Sequence, residues 1–183
     1  MKKKTLALLL ALVLVFGAAV GGTIAYLTDT TAPITNTFTV GNINIDLAET
    51  ATNFKMVPGC DIAKDPKVTV VANSEACWLF VKIEKSDNLD SFISYNVASG
   101  WTQGDGTNIP ANVWYRAVAK DATVKSFQLL AGDNTYPTGC ISVKNIVTND
   151  NMNTAAEAQL VYTAYACQSA NMSVEAAWAE VNK

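Results

Sequence analysis

The chain has 183 residues, of which 50% are hydrophobic and 16% charged, and its formal net charge is −3 at neutral pH. It contains no histidine, which excludes a Ser-His-Asp or Cys-His catalytic site, an HExxH zinc site and an imidazole general base. Arg116 is its only arginine, and the acidic balance leaves no basic patch to neutralise phosphates, so nucleic acid is not an expected partner.

The first 25 residues have the three parts of a secretory signal. Lys2–Lys4 form a positive n-region, Leu6–Val20 is an almost uninterrupted apolar run, and Thr23 and Ala25 are small residues at the positions that a signal peptidase inspects. The pattern predicts cleavage between Ala25 and Tyr26. The alternative is a retained anchor, since the apolar stretch approaches the roughly 20 residues that span a bilayer. No basic cluster follows to stop transfer, so membrane contact is expected only through the uncleaved signal.

Several stretches resemble one known family. Thr23–Asp29 (TIAYLTD) and Asn36–Leu47 (NTFTVGNINIDL) resemble the amino terminus of the TasA/camelysin family of Gram-positive bacteria. Parts of Pro58–Ala76 and the run Leu160–Gln168 (LVYTAYACQ) are similar to later strands of that family, whereas Ser86–Ala131 carries little of the resemblance. The signal block is the most specific part of the match.

The resemblance implies a jelly-roll fold, export through a SipW-type signal peptidase and assembly into extracellular fibres of a biofilm matrix. Camelysin-like relatives are often labelled metalloproteases. This chain has no histidine and no CxxC spacing, so it lacks a zinc-ligand motif. We therefore expect a protein that is not an enzyme and that has no metal or other cofactor.

Cleavage would leave an extended segment, residues 26–39, and one domain, residues 40–183. The segment is threonine-rich and broken by Pro33, with Ile34 and Phe38 as its apolar points. It cannot form a core alone, but these residue types suit a strand that pairs with a sheet edge of its own chain or of a neighbour. Of the 13 basic residues the first three lysines leave with the signal, so ten face 16 acidic residues in the mature chain.

Four cysteines follow the signal: Cys60, Cys77, Cys140 and Cys167. An even number in an exported chain favours two disulfides, because the exterior is oxidising. Four cysteines allow three pairings, and the sequence does not choose among them. The alternative is free buried thiols, since a domain of this size does not need disulfides.

Short β-rich runs separated by turn residues make up most of the domain. Alternation in Gly41–Leu47 places Ile43, Ile45 and Leu47 on one face, as expected for a half-buried strand. Further strands are predicted at Lys67–Ala72, Cys77–Lys85, Val113–Lys120, Val124–Leu130, Cys140–Val147 and Gln159–Cys167. The count predicts an all-β sandwich of the jelly-roll or Greek-key kind.

The run Ser86–Pro110 is predicted to be a long surface excursion, with a short helix or hairpin in it. Its Gln103–Asn108 piece lacks the spaced carboxylates of a calcium loop and is predicted to be a glycine turn. The carboxylate pairs Asp87 with Asp90 and Glu75 with Glu84 are formally available for glycoside hydrolysis. They are expected to be solvated instead.

The chain is predicted to end in a short helix capped by Ser173. Val174, Ala177, Trp178 and Val181 fall at helical spacing and form one apolar stripe. Such a stripe is expected to dock on its own domain, with partner binding as the alternative.

Two functions from different classes follow from these patterns. The first is an exported matrix or cell-surface protein whose copies assemble into fibres by strand addition of residues 26–39. The second is a monomeric binding module of the cell envelope that grips a carbohydrate or protein with Ser86–Pro110, Trp101 and Trp114. Exposed tryptophans would favour the second. A camelysin-like protease is the weakest alternative.

Overall fold

The computed structural model describes residues 3–24, 41–146, 148 and 158–183. The chain divides into two compact units, residues 1–39 and 40–183. In the first unit, helix α1 covers Lys3–Ile24, and its residues 3–13 are exposed. The predicted cleavage site at Ala25 and Tyr26 and the predicted extended segment 26–39 lie outside the described residues.

The second unit is built mainly of antiparallel strands in three sheets. Sheet I has the order β1-β3-β8, sheet II the order β10-β4-β7-β6, and sheet III the order β2-β9-β5. The strands are β1 (Ile45–Ala48), β2 (Asp61–Ala63), β3 (Lys67–Val70), β4 (Cys77–Lys85), β5 (Ile93–Ser94), β6 (Thr102–Gln103), β7 (Val113–Val118), β8 (Lys125–Gln128), β9 (Cys140–Val143) and β10 (Leu160–Gln168). Helix α2 (Leu89–Phe92) and helix α3 (Val174–Val181) complete the unit. The predicted all-β class is confirmed.

Sheets I and II face each other across the main core. The apolar residues that alternate along β4 and β3 point into it, because successive side chains of a strand lie on opposite faces. The fully or almost fully buried members are Val68, Val70, Cys77, Leu79, Val81, Ile83, Trp101, Val118 and Leu129. The predicted alternation of β4 and of Gly41–Leu47 is confirmed, although the regular strand begins only at Ile45.

The outer face of sheet II is covered by α3. Ser173 Oγ accepts a hydrogen bond from the backbone N–H of Ala176 at 3.3 Å, so the predicted cap is confirmed. Ala177 and Trp178 are buried against Phe80, and the Trp178 ring lies 5.4 Å from the Phe80 ring. The helix therefore docks on its own domain, and β4 is buried on both faces.

Sheet III encloses a second, smaller core. Leu89, Phe92 and Ile93 come from the run Ser86–Pro110, and they pack with Leu130, Ile141 and Val143. The short helix predicted within that run is present as α2, but the expectation of a surface location is wrong for these three residues, which are buried. Apolar residues that lack a clear period still bury themselves when a neighbouring sheet offers a complementary face.

Candidate functional site

The adjacent edges of sheets I and II form an open seam, which we define by Ile43, strand β1 and strand β10. The antiparallel pairing of β10 with β4 continues through Ser86 N to Gln159 O and Ser169 N to Ala76 O, both 3.0 Å. Hydrogen-bonded positions alternate along such a pair. The odd-numbered residues of β10 therefore bond to β4, and the even-numbered ones direct N–H and C=O away from it.

Nothing among the described residues pairs with this outer side of β10. Strand β1 is also an edge: it pairs with β3, and Val71 N donates to Asn44 O at 2.9 Å. By the same alternation, Ile45 and Leu47 turn their backbone groups away from β3. The seam thus presents two rows of backbone donors and acceptors.

The side chains along the open seam are only partly buried. They pack on the main core from its margin, and they are Ile43, Ile45, Leu47, Leu160, Tyr162, Ala164 and Ala166. Val161, on the other face of β10, is 46% exposed. An apolar margin beside free backbone groups is what an added strand would cover, since its side chains and its backbone would both find partners.

A cleft of about 880 Å³ lies beside the first residues of β10. Its floor includes the buried Leu89, Ile93 and Ile141. The remaining lining residues are Thr52, Asn53, Phe54, Lys55, Met56, Val57, Ile62, Lys64, Ala158, Gln159, Leu160 and Val161. The volume falls within the range of ligand-binding pockets.

Lys64 is the buried charge of this cleft. Its side chain is 6% exposed, and Nζ lies 2.6 Å from Glu49 Oε1. The ammonium also lies 4.5 Å from the centroid of the Phe54 ring and 5.4 Å from that of Tyr162. The ion pair makes the polar end of the cleft neutral overall, so it suits an uncharged hydrogen-bonding group better than a second ion.

The Tyr162 side chain belongs to the open seam, and its ring lies beside Lys64 of the cleft. Its oxygen is buried and has no hydrogen-bond partner among the described residues. Burial raises the pKa of this phenol, and the charge of Glu49 adds to the shift. The group stays protonated at ordinary pH and offers one unmet donor.

The four candidate disulfide cysteines are free thiols in the structure. Cys77 pairs in register with Gln168, so Cys77 and Cys167 lie on opposite faces of sheet II. Cys60 lies opposite Val143, and Cys140 lies opposite Ala63.

That register separates Cys60 and Cys140 by three residues, or about 10 Å along the strands. A disulfide requires Cα atoms within roughly 7 Å. Neither Cys77 with Cys167 nor Cys60 with Cys140 can bond unless the strands shift. The two disulfides stay a prediction, and Cys167 Sγ instead donates to Met172 Sδ at 3.6 Å.

Both tryptophans of the predicted binding excursion pack on the main core. Trp101 is 8% exposed, and its Nε1–H donates to Gln128 O at 2.8 Å. Trp114 is partly buried against the same core. Neither presents an exposed aromatic face, which weakens the particular binding surface that the sequence suggested.

The Gln103–Asn108 piece is a turn organised by Asp105. The Asp105 Oδ1 atom accepts hydrogen bonds from the backbone N–H groups of Thr107, Asn108 and Ile109 at 2.9 to 3.0 Å. These donors hold the pKa of the carboxyl below its usual range. The predicted glycine turn is confirmed, with Gly106 at φ +78°.

The carboxylates considered for hydrolysis are mostly engaged by lysines. Asp90 bonds Lys85 at 2.5 Å, Glu84 bonds Lys82 at 2.7 Å and Glu75 bonds Lys120 at 2.7 Å. Asp87 is exposed. Within residues 3–24, 41–146, 148 and 158–183, no three cysteine or carboxylate residues come together as a metal site.

The sequence did not single out Lys64 or the cleft. Its lining comes from four separate stretches between Thr52 and Val161, and no local spacing joins them. A lysine followed by Asp65 and Pro66 is an ordinary turn composition. They meet only in the folded domain, through the pairing of β2 and β5 with β9 and of β10 with β4.

Comparison of the chain with protein-family models, with curated proteins and with solved structures finds no match. Over the part of the chain that the structure describes, no helix is both long and apolar enough to cross a membrane.

Proposed function

We propose that this chain is an exported structural protein of the cell surface or biofilm matrix whose copies assemble into fibres by strand addition. The observation that carries the proposal is the nine-residue edge of β10, which has no strand paired to its outer side among the described residues. Long unpaired edges template the pairing of further chains. The partly buried side chains of the open seam support the same conclusion.

The donor in this proposal is the segment 26–39. Its threonines, Ile34 and Phe38 suit an extended strand that lacks a core of its own. A donor at one end of a subunit and an acceptor along its side make a head-to-tail contact. Such a contact does not close on itself, so it propagates as a filament.

The finer fold and the route of export belong to the same proposal. The facing sheets I and II support a sandwich of the jelly-roll or Greek-key kind, the fold that the resemblance to the TasA/camelysin family implies. The helical, apolar α1 supports a secretory signal, removed between Ala25 and Tyr26 by a SipW-type peptidase. The partners are then other copies of this chain or related matrix subunits.

Electron microscopy of two chains tests the proposal, one beginning at Tyr26 and one at Val40. We expect filaments from the first and folded monomers from the second, because only the first carries the donor. Ile34→Asp in the longer chain should also abolish filaments, since a charge cannot enter an apolar margin. Thr35→Asp is the matched control, because its side chain lies on the opposite face of an extended strand. Filaments from the chain that begins at Val40 would contradict the proposal.

The cleft favours a second candidate, a monomeric binding module of the cell envelope. Leu89 and Ile93, from the run that the sequence assigned to binding, contribute to its floor, although the tryptophans do not. Monomers from both chains, over a range of pH and salt, would favour this second function. The protease alternative has no constellation of groups to support it among the described residues.

A further inference from the structure

Arg116 carries a guanidinium that has no acidic partner among the residues that the structure describes. It lies on β7 opposite Leu79, so its side chain enters the space between sheets I and II at the end far from the open seam. Its Cζ atom lies 3.8 Å from the centroid of the Phe127 ring and 5.4 Å from that of Trp101. At 3.8 Å the planar group stacks on the phenyl face.

Gly100 also lies against this group. A Cβ atom at Gly100 would lie 3.4 Å from Nη2 and 3.5 Å from Nη1 of Arg116. Gly100 also has φ +84°, a backbone conformation that suits glycine alone. Gly100 therefore allows the backbone to contact the guanidinium. The contacts with Gly100 and Phe127 position the guanidinium without using any of its N–H donors.

None of the five N–H donors of Arg116 is used by another described residue. The side chain makes no hydrogen bond and no ion pair with any described residue, and its Nε atom is buried without a partner. Burial lowers the pKa of the group, as expected where no counter-charge compensates for lost water. A guanidinium in such a place costs free energy that an anion would recover.

Position 116 carries an arginine rather than a lysine, and the two side chains bind anions differently. All the other basic residues of the chain are lysines, which supply the same charge. Arginine differs in its planar fork, which binds an oxyanion through two parallel hydrogen bonds. We propose that Arg116 is a binding site for a carboxylate group, which approaches the edge of the guanidinium in its plane.

A carboxylate fits this site better than a phosphate does. The Phe127 ring lies 3.8 Å from Cζ, and a Cβ atom at Gly100 would lie 3.4 to 3.7 Å from Nη2, Nη1 and Cζ, so little free space remains against the flat face of the guanidinium. A flat carboxylate needs little room there, whereas a tetrahedral anion places oxygens out of the plane. The carboxylate has two sources, a small free acid or an acidic side chain of a second copy, since acidic residues outnumber basic ones.

Nitrogen NMR of the full chain, labelled only at arginine, tests the site, because one residue gives one side-chain Nε–H signal. Acetate should shift this signal to saturation, whereas chloride at matched ionic strength should not. Phosphate should bind more weakly than acetate. A shift that grows with protein concentration, without acetate, identifies the second copy as the source.

Arg116→Lys keeps the charge and should weaken acetate binding about tenfold, followed at the backbone amide of Gly100, because an ammonium cannot form the two parallel bonds. Circular dichroism checks that this variant folds. An Nε–H signal that responds to neither acetate nor protein concentration overturns the proposal on the unaltered chain alone. Equal binding of acetate and phosphate overturns the preference for a planar anion.

Discussion

Sheets I and II have two pairs of adjacent edges, and the chain covers one pair but not the other. On the closed seam, formed by residues 96–101, Arg116 and Phe127, the chain continues the pairing: Ala98 N donates to Leu129 O and Ala131 N donates to Asn96 O, both at 2.8 Å. Trp101 covers the core there, and Arg116 stacks on Phe127. On the open seam, no described segment continues the pairing of β1 or β10.

The difference shows at which side the domain can accept a further strand. Both seams border one core, so burying apolar surface from water is favourable at either seam. The closed seam uses a loop, a tryptophan and the only arginine for this purpose. The open seam keeps its apolar margin partly exposed, and an edge left so is a place where another strand can pair.

Replacing the tryptophan of the closed seam should have the largest effect. Trp101→Ala removes a buried ring and leaves Gln128 O without its donor. We therefore expect the free energy of unfolding, measured in urea, to fall by about 3–5 kcal/mol. Leu160→Ala, on the open seam, removes a partly buried side chain and should cost about 1–2 kcal/mol. An equal decrease in the free energy of unfolding in the two variants would contradict the claim that one seam is more closed than the other.

A pair of proline variants in β10 separates its two sides. Thr163→Pro removes an N–H that bonds to β4, and we expect a loss of about 3 kcal/mol. Ala164→Pro removes an N–H that points outward, which edge strands tolerate. The free energy of unfolding should therefore fall much less than in Thr163→Pro. The same Ala164→Pro change should prevent filaments, whereas Ala164→Ser, which keeps the N–H, should not. Filaments from folded Ala164→Pro protein would show that β10 is not the acceptor.

The sequence predicted the elements whose period is strong. Strand β4 places Leu79, Val81 and Ile83 on its core face as its period predicts, and α3 carries both a cap and a stripe, so local pattern and burial agree. Strand β10 does not alternate in burial, and its nine residues of β-forming type are what predict it. Strands β2, β5 and β6 have only two or three residues, too few to show a period. They exist because neighbouring strands supply their hydrogen bonds.

The seams could not be predicted in the same way. Whether a strand is an edge depends on what lies beside it, and β10 is an edge although it is as long as the central β4. The Lys64 pair with Glu49 and the stacking of Arg116 on Phe127 are likewise contacts between stretches distant in sequence. Periodicity shows which face a residue occupies, but not which neighbour it meets.

Acid should destabilise the domain, with the smallest effect of the three predictions. Asp105 precedes β7, and hydrogen bonds from the backbone N–H groups of its own turn hold the pKa of its carboxyl below the usual range. Asp121 precedes β8, and the side chain of Lys125, followed by the backbone N–H of Thr123, lowers the pKa of its carboxyl. A carboxyl whose pKa is lower in the folded state stabilises that state above its unfolded pKa, about 4. This contribution is lost as the pH falls through the folded value.

Urea unfolding at pH 7, 4 and 2.5 should therefore show a decline confined to the acid range. Asp105→Asn keeps an acceptor for the turn but cannot titrate, so the variant should be slightly less stable at pH 7 and should lose less on acidification. Asp87→Asn, at an exposed carboxylate away from both turns, is the control and should follow the unaltered chain. If Asp105→Asn shows the unaltered pH dependence, the Asp105 turn does not contribute to the acid sensitivity of the domain.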